Sequence, residues 1–441
     1  MTRKTKKALI RKLVSRQAPA ARRVSDAIAD LAEPGFREFQ SSKLLAGYLA
    51  RRGFRVEWPW RHMPTAFKAA WGKGRPVVGI LAEYDALPDC GPQEGSWGHG
   101  CGHNLLGAGA AVAAVAAKGA LEARGLPGRV VLWGCPAEEI LAGKVYMARD
   151  GAFRRHDAIL AWHPGGETRV TPLGGSSMDS VLFEFFGRTA HGASAHCGRS
   201  ALDGVMLLDV AANYLREHVP ENVRIHMCVR DGGSAPNVVP AYAKAWYYVR
   251  GKDRRQVDEV RRRLVACARG AATATETKLK VTRLTGNYSR LENDVMAKAT
   301  AGNLELFGAP RVTRRDMDAV RKLGKKPVFS RSVSPPGERQ DRGSSDEDNV
   351  SWLAPLGRFC LACVSKEDVP GHHRDYAAQV KLPFAHRGML RAAEVLAGVV
   401  CDLASSAELP ARARAEFKKR TRGFRYDPLV PRRQRPPTVN P

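Results

Sequence analysis

The loop Trp97-Gly-His-Gly-Cys-Gly-His-Asn104 places His99, Cys101 and His103 within a few residues of one another. A Cys and a His two positions apart, with Gly between them, can both turn toward one metal ion. The glycines let the backbone take unusual dihedrals and approach the ion closely. A Gly-rich connection with capping polar groups is the plainer alternative. Further on, the run Gly-Cys-Pro-Ala ends in Glu138-Glu139. Adjacent carboxylates at the end of an apolar segment are costly if unpaired. One can ligate a metal while its neighbour acts as base on a metal-bound water; a solvated loop pair is the alternative. Ala158-Ile-Leu-Ala-Trp-His163-Pro offers another ligand, Ala82-Glu83-Tyr-Asp85-Ala-Leu-Pro88 offers acids, and Val369-Pro-Gly-His372-His373 offers imidazoles. A lone His of this kind is more often structural. Several strand-end or loop segments, each contributing Asp/Glu, Cys or His, make a shared metal site the leading reading. A thiolate, imidazoles and a carboxylate suit Zn²⁺ or a similar divalent ion.

The elements that position these residues read as an α/β alternation. Residues 22–52 have apolar positions at helical spacing, with a reverse inside. Pro76–Ala82, Arg129–Gly134 and Ala158–Trp162 are short apolar runs bounded by turn residues, as buried strands are. The Gly-rich loop 91–103 precedes an Ala-rich helix at 104–123. Strands alternating with helices predict a mostly parallel, doubly wound sheet. The texture changes near residue 180. Strands at Ser180–Gly187, Val223–Val229, Ala243–Val249 and Lys278–Leu284, with helices at about 200–217 and 253–272, predict a small α+β sandwich. After Asn293 the α/β texture returns and ends in a helix over His386–Leu403. The predicted organisation is a basic N-terminal segment (1–23), a first catalytic half (24–179), an inserted module (180–292), a second catalytic half (293–408) and a basic C-terminal tail (409–441).

The chain of 441 residues has a formal charge of +27, with 44% hydrophobic and 26% charged residues, a globular rather than a disordered composition. Such a charge first suggests nucleic acid or a membrane surface. Its distribution weakens that idea, because residues 1–23 and 411–441 together hold +17 of it. These ends read as solvated tails or frayed helices, with an anion-binding or partner-binding arm as the alternative. No apolar run reaches the roughly 18–20 residues of a transmembrane helix, and no apolar segment of a secretory signal follows the basic start. Nine scattered cysteines then suggest reduced thiols and a cytoplasmic location. The Cys360–Cys363 pair lies in an apolar stretch and reads as a buried strand.

At this point the chain resembles the M20 metallopeptidase/amidohydrolase family, in the branch of aminobenzoyl-glutamate, N-acyl amino acid and auxin-conjugate hydrolases. The stretches that carry the resemblance are Ala-Glu-Tyr-Asp-Ala-Leu-Pro, Gly-His-Gly-Cys-Gly-His-Asn, Pro-Ala-Glu-Glu, Trp-His-Pro, Gly-Arg-Thr-Ala-His-Gly-Ala, Ala-Pro-Asn-Val-Val-Pro and Tyr-Tyr-Val-Arg, in order, over about residues 25–405. The resemblance implies a doubly wound mixed-sheet catalytic domain with an inserted α+β sandwich that serves as lid and dimerisation domain. It implies Cys101, His103, Glu139, His163 and His372 as ligands of one or two divalent ions, Zn or Mn. His373 is the rival to His372, which the family pattern favours by its place two after Pro370. It implies Glu138 as general base, Asp85 as the residue that orients a ligand, and His191 as the lid residue that reaches the partner's site. Asn237 and Arg250 match substrate-contacting lid residues; a satisfied lid histidine and an ordinary surface charge are the alternatives for His191 and Arg250.

Three departures bear on specificity. Ile140-Leu141-Ala142-Gly143 replaces a Gly-rich run after the glutamates, His196-Cys197-Gly198 replaces a Pro-containing stretch, and Asn349 stands where the family commonly has Asp. The function expected is metal-dependent cleavage of an amide C–N bond in a small, carboxylate-bearing substrate such as an aminobenzoyl- or N-acyl-amino acid, by a homodimer joined through the lid. Hydrolytic deamination of an aromatic amine is the alternative, and polyanion binding on a hydrolase fold is a remoter one. No membrane or nucleic-acid partner is expected.

Overall fold

The computed structural model describes residues 2–170, 174–335, 343–366 and 371–436. The chain divides into two compact units. One comprises Met1–Leu173, Leu291–Gln340 and Val350–Tyr426; the other comprises Gly174–Arg290, Asp341–Asn349 and Asp427–Pro441.

The larger unit begins with helices α1 (Arg3–Leu31) and α2 (Phe39–Ala50). Strands β1 (Arg55–Glu57), β2 (Phe67–Lys73) and β3 (Val77–Glu83) follow, then α3 (His103–Glu122), β4 (Gly128–Cys135), α4 (Gly143–Arg149), β5 (Ala158–Gly165) and β6 (Arg169–Val170). The smaller unit supplies β7 (Ser177–Phe186), α5 (Ala201–Glu217), β8 (Arg224–Asp231), β9 (Tyr242–Gly251), α6 (Arg254–Ala274) and β10 (Lys278–Asn287). The chain continues with α7 (Asp294–Phe307), α8 (Arg314–Lys322), the single turn α9 (Glu347–Val350), β11 (Leu356–Ala362), the single turn α10 (Arg374–Ala377), α11 (Pro383–Ser405) and α12 (Glu408–Arg420).

The larger sheet runs β1-β2-β4-β3-β5-β11-β6. Its centre, β4-β3-β5-β11, is parallel, and antiparallel strands close both sides, so the sheet is mixed. From β3 the chain steps to β4 on one side and then returns to β5 on the other. That reversal is a topological switch point, where α/β sheets open a crevice at the carboxyl ends of their strands. Buried on both faces, the central strands are near-continuous apolar runs, which makes them conspicuous in the sequence.

Helix α3 forms the core beneath this sheet. Leu105 through Ala114 are all buried, and α1 and α11 pack against it. It is twenty residues long and apolar enough to cross a membrane. That exceeds the 13-residue run visible in the sequence, yet α3 is the interior helix of this unit and nearly all of it is buried.

The basic ends differ from the solvated tails expected. Residues 3–31 form one helix whose Ile10, Val14, Ala21 and Ile28 enter the core, while Lys6 pairs with Asp402 at 2.6 Å. Near the other end, α12 buries Pro410 and Ala413; Arg414 pairs with the buried Asp157, and Glu416 accepts the backbone N–H groups of Asp294 and Val295 at 2.8 and 3.0 Å. Sparse apolar positions at helical spacing anchor both segments despite their charge. Residues 437–441 of the expected tail lie outside the described residues.

In the smaller unit a four-stranded antiparallel sheet, β10-β7-β9-β8, carries α5 and α6 around its own core of Val181, Phe183, Val205, Leu208, Tyr247 and Leu264. Two edges, β8 and β10, are left without a strand neighbour within the unit. Helix α5 presents Met206, Leu207, Val210 and Tyr214 to solvent at helical spacing.

Candidate metal centre

The switch point gathers the chemistry. Glu83 ends β3, with Asp85 two residues later; Glu138 and Glu139 follow β4; His163 lies near the end of β5. The loop before α3 supplies Cys101, and His103 is the first residue of that helix. Two glycines make this loop feasible. A side chain at Gly100 would meet Cys90 Sγ at 2.6 Å, and Gly102 holds φ +75° against Pro164 and Tyr376. The far segment is tied in through main chain, because the His372 N–H donates to the Gly100 carbonyl at 3.0 Å.

These contacts bring Cys101, His103 and His163 within ligating reach of one point, and Cys101, Glu139 and His372 within reach of another. Cys101 Sγ belongs to both groups and lies 3.3 Å from His163 Nε2. All five ligands the resemblance implied therefore meet. Of the two neighbouring histidines, His372 places Nε2 3.5 Å from Glu139, whereas His373 caps α10 by accepting the Asp375 N–H. His99 is turned away; its Nε2 sits 3.1 Å from the Ile28 carbonyl, and burial lowers its pKa to about 4.

Second contacts orient the ligands. Asp85 Oδ1 lies 2.9 Å from His103 Nδ1, and Asp85 Oδ2 accepts the Glu139 N–H at 2.9 Å. A carboxylate only accepts, so Nδ1 carries the proton and Nε2 offers a lone pair. His163 Nδ1 contacts the Pro164 carbonyl at 2.7 Å, which leaves its Nε2 facing Cys101 in the same way. Glu138, barely exposed, has Oε2 3.8 Å from His103 Nε2.

Electrostatics favour a cation here. Burial first, and the Glu83 carboxylate next, raise Glu138 to about 7, against the pull of Lys144 and His103. Burial also drives Glu139 well above the carboxylate range, although His103 opposes it, and pushes the Cys101 thiol up with help from Glu139. Burial opposes charge on His103, but Glu139 and Asp85 outweigh it and raise its pKa. His103 Nε2 and Glu139 Oε1 are buried without a hydrogen-bond partner. Buried donors that repel one another, with soft and hard atoms mixed, fit divalent metal ions.

Sequence reasoning passes over three buried groups at this centre. It marks Glu83 only as a strand-end acid. Lys144, in the first turn of α4, sets Nζ 2.7 Å from Glu83 Oε1. Glu38 accepts the Ala137 N–H at 2.7 Å, and Ala137 takes φ +55° just before Glu138. An acid two residues before Asp85 at the end of a buried strand is a signal for Glu83; Glu38 and Lys144 have none outside the fold.

The lid residues lie in the smaller unit. His191 caps the short 3₁₀ turn Gly192–Cys197, its Nδ1 accepting the Ala193 N–H at 3.0 Å. Asn237 is beside it, for the Gly192 N–H donates to the Asn237 carbonyl at 2.7 Å. Arg250 is not brought to them: it lies near the far end of β9, whose rise from Tyr242 to Arg250 is about 26 Å. Asp348 and Asn349, expected where substrate is read, are buried in this unit, Asp348 on Arg290 at 2.8 Å and Asn349 on the Gly286 carbonyl at 3.3 Å.

Comparison with known proteins agrees with this geometry. Residues 174–276 match the peptidase dimerisation domain of the M20 family. The chain is 32% identical to a p-aminobenzoyl-glutamate hydrolase of Escherichia coli K12, over 94% of this chain and 95% of that one. It is 28% identical to human Xaa-Arg dipeptidase over 90% of this chain and 88% of the other. Among solved structures, a dinuclear metal-binding M20 peptidase of Bacillus subtilis shares the fold, with a TM-score of 0.52, 20% identity and 88% and 99% of the two chains covered. On this relationship and this constellation of residues, the chain belongs to the M20 family and is a metal-dependent amidohydrolase.

Proposed function

We propose that the enzyme cleaves the amide bond of a small N-acyl or aminobenzoyl amino acid, using two divalent ions, Zn²⁺ or Mn²⁺. The observation that carries this reading is the shared Cys101 thiol. It belongs to two ligand groups at once, Cys101-His103-His163 and Cys101-Glu139-His372, as a bridge between two ions would. The names of the relatives, p-aminobenzoyl-glutamate hydrolase above all, support the substrate class. Bound there, the ions polarise an amide carbonyl and acidify water.

The side chains do the rest. Glu138, held near neutrality by burial and Glu83, takes a proton from the attacking water and returns it to the departing nitrogen. Asp85 fixes the His103 tautomer. His191, Asn237 and Arg250 serve the substrate from the lid, His191 by hydrogen-bonding the oxygen on which charge develops. The open β8 edge and the apolar face of α5 support a homodimer formed through this unit.

The test is product analysis. Protein loaded with Zn²⁺ or Mn²⁺ is incubated with p-aminobenzoyl-glutamate, N-acyl amino acids and aromatic amines, and the free amine, carboxylic acid and ammonia are quantified. Amine and acid in equal amounts support amide hydrolysis. Ammonia from an aryl amine, without acid, would contradict it.

A further inference from the structure

One buried cation beside the metal centre has no part in the chemistry of Glu138 and the two ions. Glu83, His103 and Glu138, all buried, converge on one point with ligating geometry. The cation beside this third group is supplied by the chain: the Lys144 ammonium, fully buried, lies 2.7 Å from Glu83 Oε1. Glu83 Oε2 is 3.5 Å from His103 Nε2, the nitrogen that Asp85 leaves free for a metal. Burial pushes the Glu83 carboxyl up, yet the Lys144 ammonium and His103 overcome it and hold Glu83 ionised.

We propose that Lys144 is a built-in cation of the dinuclear centre, which neutralises Glu83 and keeps that carboxylate from becoming an additional metal ligand beside His103. The proposal rests on the two-ion reading of the site. The charge inventory supports it. With Glu138 ionised, Glu83, Asp85, Glu138, Glu139 and the Cys101 thiolate carry five negative charges in a buried space. Two divalent ions supply four positive ones, and Lys144 supplies the fifth. A site left with surplus buried charge binds an extra cation or holds its ions too tightly, and both blunt the ions' pull on substrate oxygen.

Lys144 comes with the segment that departs from the Gly-rich family pattern. Leu141, buried at φ +55°, closes the turn by donating its N–H to the Glu138 carbonyl at 2.7 Å, and α4 starts two residues later. That turn delivers Lys144 to Glu83 Oε1, while Asp85 organises His103 from its other ring nitrogen. Lys144 is thus a positioning residue, acting on the centre through Glu83.

The test measures Mn²⁺ stoichiometry and affinity on full-length protein, by elemental analysis and chelator competition, beside kcat and KM. Lys144→Met is expected to bind Mn²⁺ about tenfold more tightly and to lose about tenfold in kcat with KM within about threefold. Glu83→Gln/Lys144→Met, which removes both charges, is expected to return Mn²⁺ affinity to within about threefold of the parent. A Lys144→Met protein unchanged in affinity and kcat overturns the proposal, as does a double variant displaced as far as the single one. If Lys144→Met does not fold, a folded double variant with parental affinity supports charge balance, and an unfolded one overturns it. A parent protein that takes up no Mn²⁺ contradicts instead the two-ion reading beneath it.

Discussion

Asp85 grips His103 and Glu139 together: one carboxylate oxygen lies 2.9 Å from His103 Nδ1, and the other accepts the Glu139 N–H at 2.9 Å. Two ligands from different strand ends are thereby held by one side chain that stands behind both. Asp85→Ala is expected to weaken metal affinity by about 10–100-fold, the usual cost of losing an outer partner. Asp85→Asn is expected to be nearly as harmful, because an amide nitrogen facing Nδ1 favours the wrong tautomer. Chelator competition on each variant reads the loss; unchanged affinity in Asp85→Ala would show that the loop backbone alone fixes the ligands.

Glu138 has the position and the environment of a base. Glu138→Gln is expected to retain its metal while kcat falls by about 10²–10⁴-fold. Elemental analysis beside steady-state kinetics separates the two effects, and loss of metal from the variant would make Glu138 a ligand instead.

Glu38 gives a pH dependence of stability. Burial, and then the Asp85 carboxylate, raise its carboxyl from 4.5 to about 8. The folded protein therefore keeps a proton that the unfolded chain releases. The stabilisation from this group is complete below about 4.5 and is lost as pH rises through about 8. Glu38→Gln keeps an acceptor for the Ala137 N–H but cannot ionise. Its Tm is expected to match the parent near pH 4.5 and to exceed it at pH 9. Thermal scans across that range check the sign; a variant less stable than the parent at pH 9 would mean the ionised carboxylate is the favoured form.

The legibility of the molecule in its sequence divides along physical lines. Strands β3, β4 and β5 and helix α3 are readable because burial on every side leaves unbroken apolar runs. Cys101, His103, Glu139 and His163 are readable because strand ends at a switch point are short, local segments. Lys144 and Glu38 are not. Each lies in a segment whose own pattern is ordinary, and only the packing of α4 and of the 33–38 turn brings them to Glu83 and Ala137. The basic ends mislead because charge is conspicuous and Ile10, Val14, Pro410 and Ala413 are few. The distance along β9 that separates Arg250 from Asn237 is a property of the sheet that motif order does not convey.

The apolar stripe on α5 bears on assembly. Val210 and Tyr214 are 50% and 71% exposed and lie one turn apart. Val210→Glu/Tyr214→Glu is expected to convert a dimer to monomers, raising the dissociation constant by about 100-fold or more, while the fold persists. Sedimentation velocity over a concentration series decides it; a variant that sediments as the parent would place the interface elsewhere.

The central claim is that Cys101, His103, Glu139, His163 and His372 hold the metal on which amide cleavage depends. It is tested most directly by stripping the protein with a chelator, titrating Zn²⁺ or Mn²⁺ back, and following amine release from p-aminobenzoyl-glutamate alongside bound metal. Activity that is absent in the stripped protein, returns as metal binds up to two equivalents, and fails to return in Cys101→Ser is the predicted result. Full turnover without metal, or full recovery in Cys101→Ser with the parent's metal content, would contradict the account.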